Sequence, residues 1–283
     1  MRIHEVLRQA RQVLQAAGIP EDEATRDAEW LARHALRLDR ASLLSCLRDE
    51  WPSTVPRAAL DALVARRTAR EPMAYIIGNQ EFFGRDFEVG PGVLIPRPET
   101  ELLAEEALRR LDPDRPCRVL DIGTGSGCLA VTLACERPLA QVSATDVSED
   151  ALLIAVRNAA RHQATVAWHH GTLLADAPGP WDLIVSNPPY IAERDRATLM
   201  AEVVRYEPAQ ALFSGPEGLD VIAGLIACAP EALVVGGTLL MEIGAGQEAA
   251  VAALVDRAPS LRLEAIRPDL QGIPRIVVAT RIA

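Results

Sequence analysis

The segment Asn187-Pro188-Pro189-Tyr190 combines residue types that could hold a flat amino group. Its two consecutive prolines fix two φ angles and remove two backbone donors, so the carbonyls of Asn187 and Pro188 cannot be drawn into a helix. We expect the Asn187 side-chain oxygen and the Pro188 carbonyl to accept the two hydrogens of a planar NH2 group, while Tyr190 packs against it. The chemistry this pattern favours is therefore a reaction at a planar NH2 nitrogen.

A glycine loop lies about sixty residues earlier in the chain. The sequence predicts a buried strand at Arg118–Ile122, then the loop Gly123-Thr124-Gly125-Ser126-Gly127, then a helix at Cys128–Glu136. Glycines allow a tight turn with positive φ and a close approach of a ligand to the backbone. The spacing is GxGxG with Cys at 128, so the dinucleotide fingerprint is not met, and the absence of lysine excludes a phosphate loop.

Two acidic residues accompany the loop. Asp121 lies on the strand before it, and Asp146 ends the next predicted strand, Val142–Asp146. An acid at that second position can accept hydrogen bonds from a ribose diol. S-adenosylmethionine has a ribose and a charged amino-acid tail but no phosphate, so we predict it as the cofactor. The cofactor-binding residues predicted from these two strands and the loop are Asp121, Gly123, Thr124, Gly125, Ser126, Gly127 and Asp146.

The elements that must position these residues begin at about Pro98, where strands and helices start to alternate. Further strands are predicted at Asp182–Ser186 and Thr238–Ile243, and a closing pair at Leu261–Ile266 and Arg275–Thr280. Such alternation predicts an α/β fold with a doubly wound, mainly parallel sheet, in which the closing pair supplies an antiparallel edge strand. Ligands bind at the carboxyl ends of the strands in such sheets.

The first seventy residues have a different pattern. Apolar residues recur there every three or four positions, which predicts an N-terminal helical bundle. Between Ala74 and about Leu94 the pattern turns β-like, with glycines at the turns, and predicts a linking β-hairpin. We therefore expect a helical substrate-recognition domain at 1–72, a hairpin at 73–96 and an S-adenosylmethionine-dependent methyltransferase domain at 97–283.

Composition narrows the possible functions. The chain has 29 basic residues, all of them arginine, against 39 acidic ones, a net charge of −10. The missing lysine excludes a lysine nucleophile, and the acidic balance argues against stable binding of nucleic acid. The five cysteines form no CxxC pair, so we expect no metal. With neither a secretory leader nor a membrane-spanning run in the sequence, we expect a cytoplasmic protein without membrane contact.

Several motifs together resemble a known family. The tetrad after a GxGxG loop is similar to the amino-methyltransferases, which modify exocyclic nitrogens of DNA bases or glutamine amides. Over nearly the whole chain the resemblance is to one branch, the release factor glutamine methyltransferases of the HemK/PrmC type. The motifs that carry this resemblance beyond the tetrad are Arg70-Glu-Pro-Met-Ala-Tyr-Ile76, Glu81-Phe-Phe-Gly84, Leu94-Ile-Pro-Arg-Pro-Glu-Thr-Glu101 and Tyr206-Glu-Pro208.

The resemblance implies a seven-stranded methyltransferase sheet and a reaction. That reaction is methylation of the glutamine amide nitrogen in the Gly-Gly-Gln motif of peptide chain release factors, carried out by a monomer with S-adenosylmethionine. Asn187, Pro188 and Tyr190 would be catalytic, the whole tetrad with Pro189 would bind the substrate, and Thr172 and Asn187 would also touch the cofactor. One departure is Gly171-Thr172, where the family commonly has an acidic residue.

Other functions remain as alternatives. A DNA or rRNA adenine N6-methyltransferase would use the same tetrad on a flipped base, but the chain has no basic target-recognition segment. An inert binding module of the same fold would not need an intact tetrad and cofactor loop. An oxidoreductase with a Rossmann fold fails on the loop spacing.

Overall fold

The computed structural model describes residues 1–174, 177 and 179–282. The chain forms two compact units. The first contains Met1–Gly78 together with Ala201–Tyr206, and the second contains Asn79–Met200 together with Glu207–Ala283. The short segment Ala201–Tyr206 therefore packs with the first unit, although the chain on both sides of it belongs to the second. The predicted division at 72/73 and 96/97 is a statement about domain roles and stays a prediction.

The first unit is a helical bundle. Its helices are α1 (Ile3–Ala16), α2 (Glu21–Leu36), α3 (Arg40–Ser45), α4 (Arg57–Thr68), α5 (Met73–Ile77) and, later in the chain, α9 (Ala201–Tyr206). Leu14, Leu31 and Leu60, from α1, α2 and α4, are completely buried in one apolar core. The acids in the first turn of α2 lie where the helix dipole favours negative charge. The helical pattern predicted for this region is confirmed.

A buried arginine holds three helices of this unit together. Arg67 on α4 is 2% exposed, and its Nε donates to Oδ2 of Asp27 on α2 over 2.6 Å. One Nη donates to Oε1 of Glu202 on α9 over 2.8 Å, and the other donates to Glu23. Burial lowers the pKa of Arg67, but the hydrogen bonds with Asp27 and Glu202 outweigh this and raise it overall. The guanidinium is thus a charged junction inside the bundle.

The linking hairpin is shorter than predicted. Strands β1 (Asn79–Phe82) and β2 (Arg85–Glu88) pair antiparallel, but the preceding Ala-Tyr-Ile-Ile stretch lies in α5 and not in a strand. Pro72 stands at the N-cap of that helix, and Gly78 ends it with φ of +77°. The Gly78 amide donates to the Ala74 carbonyl over 2.8 Å, so these two helix-boundary residues outweigh the β propensity of the isoleucines.

The second unit contains the predicted seven-stranded sheet. Its order is β5-β4-β3-β6-β7-β9-β8, and the five strands from β5 to β7 are parallel. The strands are β3 (Cys117–Ile122), β4 (Ala140–Asp146), β5 (Val166–His170), β6 (Trp181–Ser186), β7 (Leu233–Glu242), β8 (Leu261–Pro268) and β9 (Pro274–Arg281). The fold class is confirmed.

Two details of the sheet differ from the sequence prediction. The antiparallel strand β9 does not lie at the edge, because it pairs with both β7 and β8 and leaves β8 outermost. Its central residues Ile276–Ala279 are buried on both faces, whereas in β8 only Leu261 is buried and half of the residues are exposed. The edge strand β5 was not predicted, because Val-Ala-Trp-His-His is only partly buried and lacks a clear alternation of apolar and polar residues.

Helices cover both faces of this sheet. They are α6 (Pro98–Arg110), α7 (Cys128–Glu136), α8 (Glu149–His162), α10 (Asp220–Ala232) and α11 (Glu248–Asp256). Leu103 and Leu133 pack with one face of the sheet, and Leu225 and Val251 pack with the other. This is the doubly wound arrangement, and it brings the carboxyl ends of the parallel strands to one edge. Among the described residues, none of the helices combines the length and apolar character needed to cross a membrane.

Candidate cofactor and substrate site

A cavity opens at the carboxyl edge of the parallel strands. It encloses about 800 Å³ of empty space, a figure that includes the part open to solvent. Gly123 and Gly125 line it beside β3, and Asp146 lines it at the end of β4. The predicted residues that line it are Gly123, Gly125, Asp146, Asn187, Pro188 and Pro189. The cavity therefore brings four of the nine predicted cofactor residues together with three residues of the tetrad, Asn187 being counted in both sets.

Asp146 and the glycine loop are joined by a backbone hydrogen bond. Gly125, with φ of +55°, donates its amide to Oδ2 of Asp146 over 2.8 Å, and Ser148 donates to Oδ1 over 2.9 Å. Burial raises the pKa of Asp146, while these backbone donors lower it. Since a carboxylate has about four lone-pair sites, the two bonds leave further acceptor capacity for a ligand in the cavity.

We expect Asp146→Ala to weaken S-adenosylmethionine binding by about 1.5–3 kcal/mol, the range for hydrogen bonds to a charged group. Isothermal titration calorimetry measures this directly. Glu149→Ala is the matched control. It removes an equal charge only three residues from Asp146, but the Glu149 carboxylate is 79% exposed and does not line the cavity. Equal affinity in Asp146→Ala and the parent would refute the ribose assignment.

Asp121 is buried behind the loop. It is completely inaccessible, and its Oδ2 accepts from Thr124 Oγ1 over 2.6 Å and from the Ala130 amide over 3.2 Å. Burial, together with a smaller contribution from the nearby charge of Asp146, raises its pKa to about 7 against the effect of these two donors. Oδ1 of Asp121 has no hydrogen-bond partner among the described residues. The observed contacts of Asp121 are thus with the loop, and its contact with the cofactor stays a prediction.

The other predicted cofactor residues do not line the cavity in the described part of the chain; they are Asp121, Thr124, Ser126, Gly127 and Thr172. Gly127 faces α8, since an added Cβ would lie 3.0 Å from that of Ala155. The Ser126 carbonyl accepts from Asn158 Nδ2 over 2.8 Å. Thr172 is exposed between two lining residues, Gly171 and Leu173. Direct contact of these five residues with the cofactor stays a prediction.

The tetrad follows β6 and is held by side chains from distant parts of the sequence. Asn187 Nδ2 donates to Thr100 Oγ1 over 2.9 Å. Thr100 lies in the first turn of α6 and donates in turn to Oε2 of Glu242 over 2.8 Å. The hydroxyl of Tyr190 donates to Oε1 of the same carboxylate over 3.1 Å, and Gln247 Nε2 donates to the Tyr190 carbonyl over 2.9 Å.

Tyr190 is half-buried and is not among the residues that line the cavity, as far as the structure describes it. Burial raises the pKa of its phenol, and the charge of Glu242 raises it further. Tyr190 therefore stays neutral and donates a hydrogen bond to Glu242. Its packing against a substrate amide stays a prediction.

Glu242 was not predicted from the sequence as part of the site. It ends β7, is 1% exposed and contacts two members of the site through its carboxylate. Burial raises its pKa to about 7, against the hydrogen bonds from Thr100 and Tyr190 and the charge of Arg275. An acid at the end of the apolar run Thr-Leu-Leu-Met was the available signal, because charged residues are rarely buried without a partner.

Glu207 joins two of the motifs that carried the family resemblance. It belongs to the Tyr-Glu-Pro motif, is 6% exposed and accepts from the Ile95 amide over 3.1 Å. It also pairs with Arg97. Leu94 and Pro208, neighbours of these contacts in the chain, line the cavity. Each of the two motifs therefore contributes one residue to the lining of the cavity.

Comparison with known proteins decides the family. The PrmC N-terminal domain family matches residues 5–78, and the methyltransferase small domain family matches residues 99–219. A release factor glutamine methyltransferase from Geobacter sulfurreducens is 44% identical over 97% of this chain and 95% of its own length. One from Cereibacter sphaeroides is 46% identical over 99% of this chain and 98% of its own. The chain belongs to the release factor glutamine methyltransferase family.

The resemblance of the sequence to the release factor glutamine methyltransferase family is thus confirmed. Among solved structures, the 16S rRNA N2 G1207 methyltransferase RsmC of T. thermophilus, in complex with AdoMet and guanosine, superimposes with a TM-score of 0.52. It is 19% identical, and the match covers 72% of this chain and 50% of that one. At this identity the likeness shows the fold alone, and it agrees with the methyltransferase sheet described above.

Proposed function

We propose that this chain transfers a methyl group from S-adenosylmethionine to the side-chain amide nitrogen of a glutamine in peptide chain release factors. The observation that carries the proposal is the state of Asn187 at the cavity. Its nitrogen is engaged by Thr100, while its oxygen accepts no hydrogen bond from the described residues. An acceptor left open beside the cavity is what an incoming NH2 group requires.

The cavity fits S-adenosylmethionine. Asp146 offers acceptors for a ribose, and a Cβ added at Gly123 or Gly125 would meet no atom within 4 Å, so open space lies beside the loop backbone. Apolar side chains such as Leu173 and Val221 line another part of the cavity and suit a flat base. When bound, the cofactor supplies a methyl group on a positively charged sulfur.

The tetrad addresses the weakness of an amide as a nucleophile. Delocalisation of the amide lone pair, reflected in a rotation barrier of about 18–20 kcal/mol, makes the nitrogen a poor attacker. Oδ1 of Asn187 and the carbonyl of Pro188 would each accept one N–H of the glutamine amide and so orient its nitrogen. These hydrogen bonds strengthen as positive charge develops on the nitrogen, and therefore favour the transition state. The surplus proton leaves to solvent after methyl transfer.

The remaining parts of the proposal concern the roles of the domains, the oligomeric state and the cellular location. Residues 1–72 would recognise the release factor, the segment 73–96, which contains the hairpin of β1 and β2, would link the two domains, and residues 97–283 would perform methyl transfer. The match of residues 5–78 to the PrmC N-terminal domain family supports the first role. We further propose that the enzyme acts as a monomer in the cytoplasm, where release factors work, without stable binding of nucleic acid. The full-length relatives do not favour the alternative of an adenine methyltransferase.

Transfer of labelled methyl from S-adenosylmethionine to a purified release factor tests the function. We expect label on one glutamine, identified by mass spectrometry of the digested factor, and no label on DNA or rRNA under the same conditions. The matched control is the release factor with that glutamine replaced by glutamate, which should take up no label. Label on nucleic acid but not on the release factor would contradict the proposal.

A further inference from the structure

The amide of Asn187 can present either its oxygen or its nitrogen to the cavity, because the two ends have nearly the same shape. Only the oxygen can accept a hydrogen from a substrate NH2 group. Which end faces the cavity is therefore decided by the partner of the other end. That partner is the Thr100 hydroxyl, 2.9 Å from Nδ2.

A hydroxyl donates one hydrogen and accepts others, so Thr100 by itself does not select an orientation. Its hydrogen is directed to Oε2 of Glu242, 2.8 Å away. An ionised carboxylate only accepts hydrogen bonds, which leaves the Thr100 oxygen facing Asn187 as an acceptor. The nitrogen of Asn187 must then turn to Thr100, and its oxygen turns to the cavity.

A protonated Glu242 would allow the opposite order. Its O–H could donate to Thr100, and Thr100 could donate to the oxygen of Asn187. The nitrogen of Asn187 would then face the cavity and meet the substrate NH2 group donor against donor. The charge state of Glu242 thus selects between a productive and an unproductive amide.

We propose that Thr100 and Glu242 are positioning residues, which fix the amide of Asn187 with its oxygen toward the substrate nitrogen. The inference rests on the proposed function for its kinetic test only, since the orientation of the amide can also be observed without a substrate. Both residues act through Asn187 and do not line the cavity among the residues described.

Several charged or titratable groups face Glu242 from the elements around it. Glu99 on α6 raises its pKa, and Arg275 on β9 lowers it. Tyr190, which follows β6, donates a hydrogen bond to Oε1 of Glu242, and the charge of Arg97 lowers the pKa of this tyrosine. Cys128 on α7 is also within electrostatic reach. Burial is the largest of these influences and places the pKa of Glu242 at about 7, so its charge changes near neutral pH.

The first test removes the hydroxyl that relays this orientation. We expect Thr100→Val, which keeps the shape of the side chain, to lower kcat by about 10- to 100-fold with a smaller change in KM, because it misplaces a group that acts in the transition state. Thr100→Ser should recover most of the loss. The matched control is Thr132→Val, since Thr132 is a fully buried threonine of the same unit whose hydroxyl has no hydrogen-bond partner among the described residues. If Thr100→Val has the same kcat as the parent enzyme, the inference is wrong, whereas the proposed function is unaffected.

The second test uses Glu242→Gln, whose side chain is neutral at every pH. In the parent enzyme, kcat should fall to about a tenth between pH 8 and pH 6 as Glu242 is protonated. Burial also raises the pKa of Asp121 to about 7, so either acid could cause the fall of kcat below pH 8. The comparison of the parent with Glu242→Gln shows whether Glu242 causes it. We expect the variant to show a lower kcat at pH 8 and no fall due to this group. An unchanged acid limb in Glu242→Gln would contradict the proposal.

A measurement without substrate separates this inference from the proposed function. The side-chain amide resonances of Asn187, assigned by their loss in Asn187→Ala, should shift between pH 8 and pH 6 in the parent protein and stay constant in Glu242→Gln. This result would support the orientation mechanism even if the release factor were not methylated. If the resonances change neither with pH nor in Glu242→Gln, the orientation mechanism is wrong.

Discussion

Asn187→Ala is expected to lower kcat for release factor methylation by about 10²–10³-fold, or about 2.7–4 kcal/mol, the usual cost of one lost contact in a preorganised site. The loss should appear mainly in kcat, since the hydrogen bond is stronger when the substrate nitrogen carries charge. Affinity for S-adenosylmethionine should change only modestly, because Asp146 and the loop backbone remain. Steady-state kinetics with the release factor and calorimetry with the cofactor measure the two effects.

Asn187→Asp is the discriminating partner of that variant. It keeps an acceptor toward the substrate, but it replaces the nitrogen that donates to Thr100 with an oxygen. Since the hydrogen of Thr100 already goes to Glu242, the new oxygen has no donor there. We expect Asn187→Asp to retain part of the activity that Asn187→Ala loses. The control is Asn79→Ala in β1. If Asn187→Ala turns over near the parent rate, the tetrad is only a structural turn.

The elements that could be predicted are those whose signal lies within one short stretch. The helix α8 has its predicted bounds of 149–162, since an N-cap Ser148 and an apolar face mark it locally. The interior place of β9 was not predicted, because a hairpin pattern does not say which of its strands pairs with β7. The four-residue run of buried apolar side chains in β9 was the unused clue.

The same limit applies to the site. Asp146 and Asn187 could be found because each stands at the end of a strand, where the fold class places ligands. Glu242 also ends a strand, but its part in the site could not be predicted, because its partner Thr100 is 142 residues away and Asn187 lies 87 residues from Thr100. The cofactor contact of Gly127 stays a prediction, and its missing side chain also permits the close contact with Ala155 on α8. Spacing shows that a glycine is required but not which neighbour requires it.

The largest stability effect is expected at the buried arginine of the helical unit. Arg67→Met keeps much of the apolar stem but leaves Asp27, which is 7% exposed, without its 2.6 Å partner. Breaking a buried ion pair by removing one member costs about 3–5 kcal/mol, because an uncompensated charge remains. Chemical denaturation followed by far-UV circular dichroism measures the loss. Arg57→Met on the same helix, whose partner Asp61 is 58% exposed, is the control and should cost at most about 1 kcal/mol.

A double variant separates the charge from the packing. If the cost of Arg67→Met is that of an unpaired carboxylate, Arg67→Met combined with Asp27→Asn should be less destabilised than the sum of the two single changes, since no charge then remains buried at that contact. Glu202 on α9 keeps a second partner in Arg70, 3.7 Å away, and so depends less on Arg67. Additive losses would instead indicate that Arg67 contributes through the packing of its stem and its bond to the Glu71 carbonyl. The free energy of unfolding of the double variant, compared with both single variants, therefore decides between an electrostatic and a packing role for this residue.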